Sequence, residues 1–280
     1  MSSSAHLDEF ARVAGLPEAE LDIGYAALLI AACEYPELDI KAYMRRLDML
    51  SAGVAERMPS GADPLEQVTI INEFLFRQRH FRGNAENYYD PRNSYLNEVI
   101  DRRLGIPITM SILYIEIAKR LRLPIRGVGL PGHFVVRYDA PRIDLFVDPF
   151  NGGRLLTSDD CHELVLRSLG GHHAVSFGHF IQPIGNRSIL IRVLTNLKVI
   201  YFHQSDAERV VRALNQIIQL NPQSTDEYKE RGLLHLAAHR YRAALVDLTT
   251  YLERCPDAPD ADLVHHRVDM ICATLGTSFE

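Results

Sequence analysis

Cysteine is scarce in this chain. Four cysteines occur in 280 residues, at positions 33, 161, 255 and 272, and no two form a C-x-x-C pair. That argues against a disulfide framework or a cysteine zinc site and points to reduced thiols in a reducing cytoplasm. An excess of basic charge is missing too. Thirty Lys and Arg stand against 36 Asp and Glu, a net charge of -6, so nonspecific binding to a phosphate backbone is not expected and no nucleic-acid partner is implied. No apolar run approaches the ~18 residues of a membrane span. The longest early stretch, AALLIAAC at 26–33, reads as a core helix, and the opening MSSSAHLDEF lacks the apolar centre of a signal peptide. Cys161, His162, His172, His173 and His179 crowd one region, yet their spacing matches no ligand pattern. Neither a metal nor any other cofactor is therefore expected.

What is present is an ordinary globular composition, 47% hydrophobic and 24% charged, long enough for two packed units. Its organising stretch is 93–148. A helix over 105–122 is opened by Pro107, which suits a first helical turn because its missing N–H would have no partner there. Between Ile108 and Ala118 the only charge is Glu116, and apolar residues surround most of the circumference, the mark of an enclosed helix. A β-hairpin follows, HFVVRY (133–138) and IDLFVD (143–148), around the turn-forming residues 139–142. A tight four-residue turn would set Tyr138 opposite Ile143, Arg137 opposite Asp144 and His133 opposite Asp148. Alternation then collects Phe134, Val136, Leu145 and Val147 on one apolar face and the two opposite-charge pairs on the other. Opposed Cβ atoms lie about 5 Å apart, within reach of an imidazole–carboxylate bond.

The segments GIPITMSILYIEIAKRLRLPIRGVGLPGHF and FVDPFNGG, with NSYLN before them, resemble the bacterial SirB-type family, a branch of the transglutaminase-like superfamily that carries a tetratricopeptide C-terminus. The resemblance implies an α+β fold. Its core would be transglutaminase-like (papain-like), with a buried central helix, an antiparallel sheet and a helical N-terminal region. In active members of that superfamily a Gly-x-Cys opens the central helix, where the helix dipole and a protonated His lower the thiol pKa. The matching positions here are Gly105, Ile106 and Pro107, and proline has no nucleophile. The resemblance thus favours a pseudoenzyme, a non-catalytic protein- or ligand-binding scaffold in which His133 and Asp148 form a satisfied pair. A pocket of His133, Asp148, Asn93 and Asn97 at a helix N-terminus could hold a carboxylate or phosphate. Asn93, Ser94 and Asn97 read more readily as cap and turn residues than as the mouth of a pocket. The alternative is a hydrolase or acyltransferase in which the hydroxyl of Thr109 or Ser111 is activated by His133, with Asp148 fixing the imidazole tautomer.

Before this core the chain reads as helical. Asp39 caps a helix to about residue 58, and Asp63, Pro64 and Glu66 start another to about residue 80. Thr157 or Ser158 caps a further helix to about residue 169, and a strand is expected at 180–184. From about residue 186 a 34-residue period emerges: Pro222 and Pro256, Leu194 and Tyr228, Val210 and Ala244, Leu214 and Leu248 recur at that offset, the tetratricopeptide spacing. Gly232 and Ala244 are the small residues where paired helices approach closely. Two domains are expected, 1–185 and 186–280, the second either offering a surface to a protein or peptide partner or packing on the first domain as a brace. No membrane association and no particular oligomeric state is implied.

Overall fold

The computed structural model describes residues 3–170 and 177–276. Contacts divide the chain into two compact units, Met1–Val193 and Leu194–Glu280.

The first unit opens with α1 (Ser3–Ala14), α2 (Ile23–Ala32), α3 (Ile40–Ala55) and α4 (Pro64–Asn72). The last three share one start signal. Asp22, Asp39 and Asp63 each accept a main-chain N–H three residues on, at 2.9, 3.0 and 2.9 Å, satisfying a donor the helix itself leaves free. Helix α2 is buried all round except at Tyr25. Beyond α4 the chain widens into a π turn, Glu73–Gln78, which buries Phe74, Leu75 and Phe76, where an uninterrupted α-helix to about residue 80 is expected. A two-residue strand β1 (Arg82–Gly83) then leads through a 3-10 turn, Pro91–Ser94, to α5 (Leu96–Arg102). Tyr95 occupies the cap of α5 without a side-chain bond, so Ser94 and Asn97 do not cap it. Strand β2 (Leu104–Gly105) pairs parallel with β1, a pairing too short to leave a periodic trace.

Central to the unit is α6 (Pro107–Arg120), buried from Pro107 through Ala118. Its one internal charge is met rather than exposed. The Glu116 carboxylate accepts the Gly24 N–H at 3.2 Å and pairs with Arg120. A Cβ on Gly24 would lie 2.6 Å from the carboxyl carbon, so the glycine is what lets α2 close on α6.

After α6 comes a four-stranded antiparallel sheet, β3 (Ile125–Leu130), β4 (His133–Tyr138), β5 (Phe146–Asp148) and β6 (Arg154–Leu156), in that spatial order. The β4–β5 register differs from the tight-turn expectation. Val136 lies opposite Val147 and Arg137 opposite Phe146, a slip of two residues. The connection is the longer segment 139–145, with Arg142 in the left-handed region at φ 63° and the Tyr138 N–H bonded to Leu145 O at 2.9 Å. Asp144 is drawn away to the next helix, where it accepts the Ser158 N–H at 3.2 Å and the Ser158 hydroxyl at 2.8 Å. Arg137 consequently stacks on Phe146, 5.5 Å from the ring centroid, and the expected Arg137/Asp144 pair does not form. A slip of two leaves each side chain on its expected face, because the strand repeat is two residues.

One face of the sheet, with Phe134, Val136 and Val147, turns towards α6. The other is covered by α7 (Ser158–Ser168), capped by Thr157. There Cys161 and Val165 pack on Val128, Leu130, Val135, Phe146 and Leu156. A short helix α8 (Phe177–Phe180) and a single bridge between Val128 and Pro183 stand where a strand at 180–184 is expected. His172 and His173 lie outside the described residues.

Helix α9 (Asn186–His203) carries the boundary between the units. The second unit continues as α10 (Ala207–Leu220), α11 (Thr225–Ala237), α12 (Tyr241–Arg254) and α13 (Ala261–Leu275), the helical hairpins that the 34-residue period requires. Gly232 is the close-approach residue: a Cβ there would sit 2.9 Å from the Leu248 side chain. Beside it Arg231 forks onto the buried Asp247 with bonds of 2.8 and 2.6 Å. Val264, Val268 and Ile271 of α13 close the core over Leu248, Tyr251 and Leu252. No helix among the described residues is long and apolar enough to cross a membrane.

Candidate functional site

His133 opens β4 directly after the reversal at Pro131–Gly132, and Asp148 closes β5. In the observed register they are diagonal neighbours on one face rather than opposed, and imidazole Nε2 lies 2.7 Å from Asp148 Oδ2. The acid is almost sealed, its side chain 3% exposed against 17% for His133.

Asp148 is held from a second direction by the chain that follows it. Its Oδ1 accepts the N–H groups of Phe150 (3.1 Å) and Asn151 (3.2 Å), while Oδ2 accepts Asn151 Nδ2 at 2.7 Å. Sequence D-P-F-N thus folds as a turn wrapped round its own first carboxylate. Burial alone would push this acid up. The bonds and charge from His133, together with the Asn151 amides, outweigh it and hold the carboxyl below its ordinary value. An ionised carboxylate only accepts, so Nε2 must carry the proton. No hydrogen-bond partner for Nδ1 is found among the described residues.

Aromatic rings build the wall beside the imidazole. Phe150 meets His133 edge-on at 6.3 Å, Tyr88 meets Phe150 at 6.2 Å, and the exposed Tyr89 leans on Tyr88 at 5.3 Å. Phe150 is seated against Gly83, whose N–H donates to Phe150 O at 3.2 Å and where a Cβ would fall 2.5 Å from the ring. The neighbouring Asn84 N–H bonds Gly105 O at 2.9 Å, so this wall is tied to the strand that leads into α6. On the far side Arg192 of α9 donates from Nη2 to the carbonyls of Leu130 and His133, each at 3.1 Å. Its guanidinium carbon stands 5.3 Å from the Phe134 ring centroid.

Comparison with known proteins assigns this architecture. Residues 41–195, more than half the chain, match the family model described as the transglutaminase-like superfamily, and residues 197–269 match a tetratricopeptide repeat. A protein of Xylella fastidiosa (strain 9a5c) named UPF0162 protein is 37% identical over 265 residues, covering 92% of this chain and 93% of its own. The chain belongs to the UPF0162 branch of the transglutaminase-like superfamily. A more distant relative of the same name, UPF0162 protein YchA of Escherichia coli (strain K12), is 23% identical over 249 residues, covering 87% of this chain and 91% of its own. F-box only protein 21 of Homo sapiens is 33% identical over 135 residues, 45% of this chain and 20% of that protein. No solved structure matches.

In this UPF0162 chain the other expected site residues have different occupations. Pro107 stands in the first turn of the enclosed helix. Thr109 Oγ1 donates to Asn93 O at 2.6 Å and accepts the Ile106 N–H at 3.2 Å, so the hydroxyl is a helix-start clamp, and it is 1% exposed. Ser111 is wholly buried, and its Oγ has no partner among the described residues. Asn93 is buried with both ends of its amide engaged. Its Nδ2 donates to Asn87 O (2.7 Å) and Tyr88 O (3.2 Å), and its Oδ1 accepts from Asn84 at 3.0 Å. It therefore shapes the loop that carries Tyr88 rather than lining a pocket. Asn97 is buried, its Oδ1 without a partner among the described residues. Cys161 sits in the core behind the sheet, its thiol pushed up to about 12 by burial. The described residues contain no group of three His, Cys, Asp or Glu side chains that could hold a metal.

Asn151, Phe150, Tyr88 and Arg192 surround the pair, and the sequence does not single them out. Asn151 had a readable signal, an Asx-type turn residue three places after an acid. Tyr88 and Arg192 reach the site through tertiary folding alone.

Proposed function

We propose that this transglutaminase-like protein is a non-catalytic binding protein: the His133–Asp148 pair and its aromatic wall form a recognition site, and the tetratricopeptide unit supplies a surface for a protein or peptide partner. The observation that carries this reading is the commitment of the Thr109 hydroxyl. A nucleophile must lie within hydrogen-bond reach of its base, and Thr109 Oγ1 is already bonded to the Asn93 carbonyl and the Ile106 amide. The remaining candidates are as poorly placed. Pro107 offers no group, Ser111 is enclosed away from water, and the Cys161 thiol is raised by burial to about 12, so almost no thiolate exists at neutral pH. What is left at the site is an imidazole with an unpartnered Nδ1 and a fixed carboxylate, groups suited to orienting a ligand.

The reading is tested by exposing the full chain to a fluorophosphonate and an acyl-ester probe at pH 7.5. The expected outcome is no covalent labelling of residues 83–153 by intact-mass and peptide analysis. Stoichiometric acylation that Thr109→Ala or Ser111→Ala removes, while the fold is kept, would overturn it.

A further inference from the structure

Arg192 raises a question of charge balance. Its side chain is partly buried, and burial draws the guanidinium below its ordinary pKa. Among the described residues no carboxylate lies within ion-pair distance of it, and the titratable neighbour it senses is the Tyr88 phenol, which is uncharged at neutral pH. Taking a cation from water without an opposing charge is costly. The neighbouring arginines follow the usual rule: Arg187 lies 3.8 Å from Glu18, and Arg126 lies 3.3 Å from Asp139. Two carbonyls and the Phe134 face offset part of the cost for Arg192 and explain a brace on the β3–β4 reversal. They use only Nη2. Nε and Nη1 keep their N–H groups, and Nη1 passes over Gly129, where any Cβ would stand 2.7 Å away. The missing side chain is what leaves that donor its room.

Tyr88 lies near enough to Arg192 for the two to influence each other electrostatically. Burial raises its phenol, and the Arg192 charge pulls it partly back. No hydrogen bond to its hydroxyl is found among the described residues, and Asn93 fixes its loop by holding the Asn87 and Tyr88 carbonyls. Phe150 then joins Tyr88 to the His133 imidazole in an unbroken run of ring contacts. An unneutralised guanidinium, a free phenol and an imidazole with an open nitrogen thus border one aromatic-walled site.

We propose that Arg192 and the Tyr88 hydroxyl form an anion-binding corner of the His133–Asp148 site, and that the ligand of this protein presents a carboxylate or phosphate group there. The proposal rests on the binding reading given above and adds the ligand's chemical class. An oxyanion supplies the charge Arg192 lacks, accepts from Nη1 and from the phenol, and lets the rest of the ligand lie along Phe150 towards His133. Charge-assisted bonds of this kind are roughly twice as strong as neutral ones, so Arg192 is expected to dominate affinity and Tyr88 to refine it.

The test is a titration of the full chain with sodium phosphate and, separately, sodium acetate, against sodium chloride at matched ionic strength. The His133 ring nitrogens are followed by NMR and assigned with His133→Gln. The expected result is a saturable shift of the His133 signals with phosphate or acetate and none with chloride. The stronger of the two identifies the headgroup. Arg192→Gln should weaken that response at least tenfold, and Arg192→Lys should retain part of it. Because Arg192 also braces a turn, Tyr88→Phe serves as the variant that leaves the brace intact, with an expected loss of about threefold to tenfold. Absence of a saturable shift with either anion would overturn the proposal, as would equal affinity in wild type, Arg192→Gln and Tyr88→Phe. Neither result touches the question of covalent labelling, so failure here and failure of the non-catalytic reading are told apart.

Discussion

Replacing Asp148 by alanine removes the acceptor for four donors at once: His133 Nε2, the Phe150 and Asn151 amides, and Asn151 Nδ2. A buried donor left without a partner costs about 1–3 kcal/mol. Taking the two main-chain amides near the lower half of that range, and discounting the two side chains because they can turn to water, gives a loss of about 2–4 kcal/mol, overlapping the cost of removing one partner of a buried ion pair. Asp148→Asn keeps an oxygen for the amides and should cost about 1–2 kcal/mol. Tryptophan is absent from the chain, so unfolding is best followed in urea by far-UV circular dichroism, with hydrogen exchange at Phe150 and Asn151 as the local readout. Both amides should lose protection in Asp148→Ala. The acid also sets a pH dependence. Its folded pKa lies below the ordinary 3.8, so its contribution is complete above that value and is lost as pH falls through the lower, folded value. Wild type should therefore lose stability below about pH 4 more steeply than Asp148→Asn. A cost under about 1 kcal/mol for Asp148→Ala, or unchanged exchange at the two amides, would refute the reasoning.

Gly24→Ala should destabilise the first unit by about 1–3 kcal/mol, because its Cβ would meet the Glu116 carboxyl at 2.6 Å; thermal melts of the variant and of Gly24→Ala/Glu116→Ala should show partial rescue in the double mutant. Asp247→Ala leaves the Arg231 fork without its buried acceptor and should cost about 3–5 kcal/mol, read as new exchange in α11 and α12.

Much of the fold is legible because its signals are local. Asp39 and Asp63 announce their helices, Pro107 marks the start of the enclosed one, and Gly232 with Ala244 marks the crossing of the repeat helices. Each of these depends on residues within a turn or at a fixed period. The face shared by His133 and Asp148 was legible for the same reason, since alternation along two strands decides it. Their register was not. It depends on Arg142 adopting a left-handed conformation and on Asp144 turning to the start of α7, and neither choice is written in the hairpin itself. The two-residue strands β1 and β2 are shorter than any period that could reveal them. The roles of Asn93 and Thr109 were ambiguous for a different cause. Amides and hydroxyls serve caps and ligands alike, and only the positions of the Asn87 and Tyr88 carbonyls and the Ile106 amide decide between them. Arg192 lies 59 residues from His133, and no local pattern in α9 sets it apart from the arginines around it.

The slipped connection between β4 and β5 has a bearing on how this region can vary. Adding or deleting residues there in pairs slides one ribbon along the other while imidazole and acid stay in the same layer, and a diagonal reach evidently suffices for them to meet. A single-residue insertion would instead deliver the acid, with its own turn, among the hydrocarbon side chains that turn towards α6 and away from its imidazole. Length changes in this loop are thus filtered by parity rather than by size, and a graft of two extra residues at position 141 is the gentler operation than a graft of one.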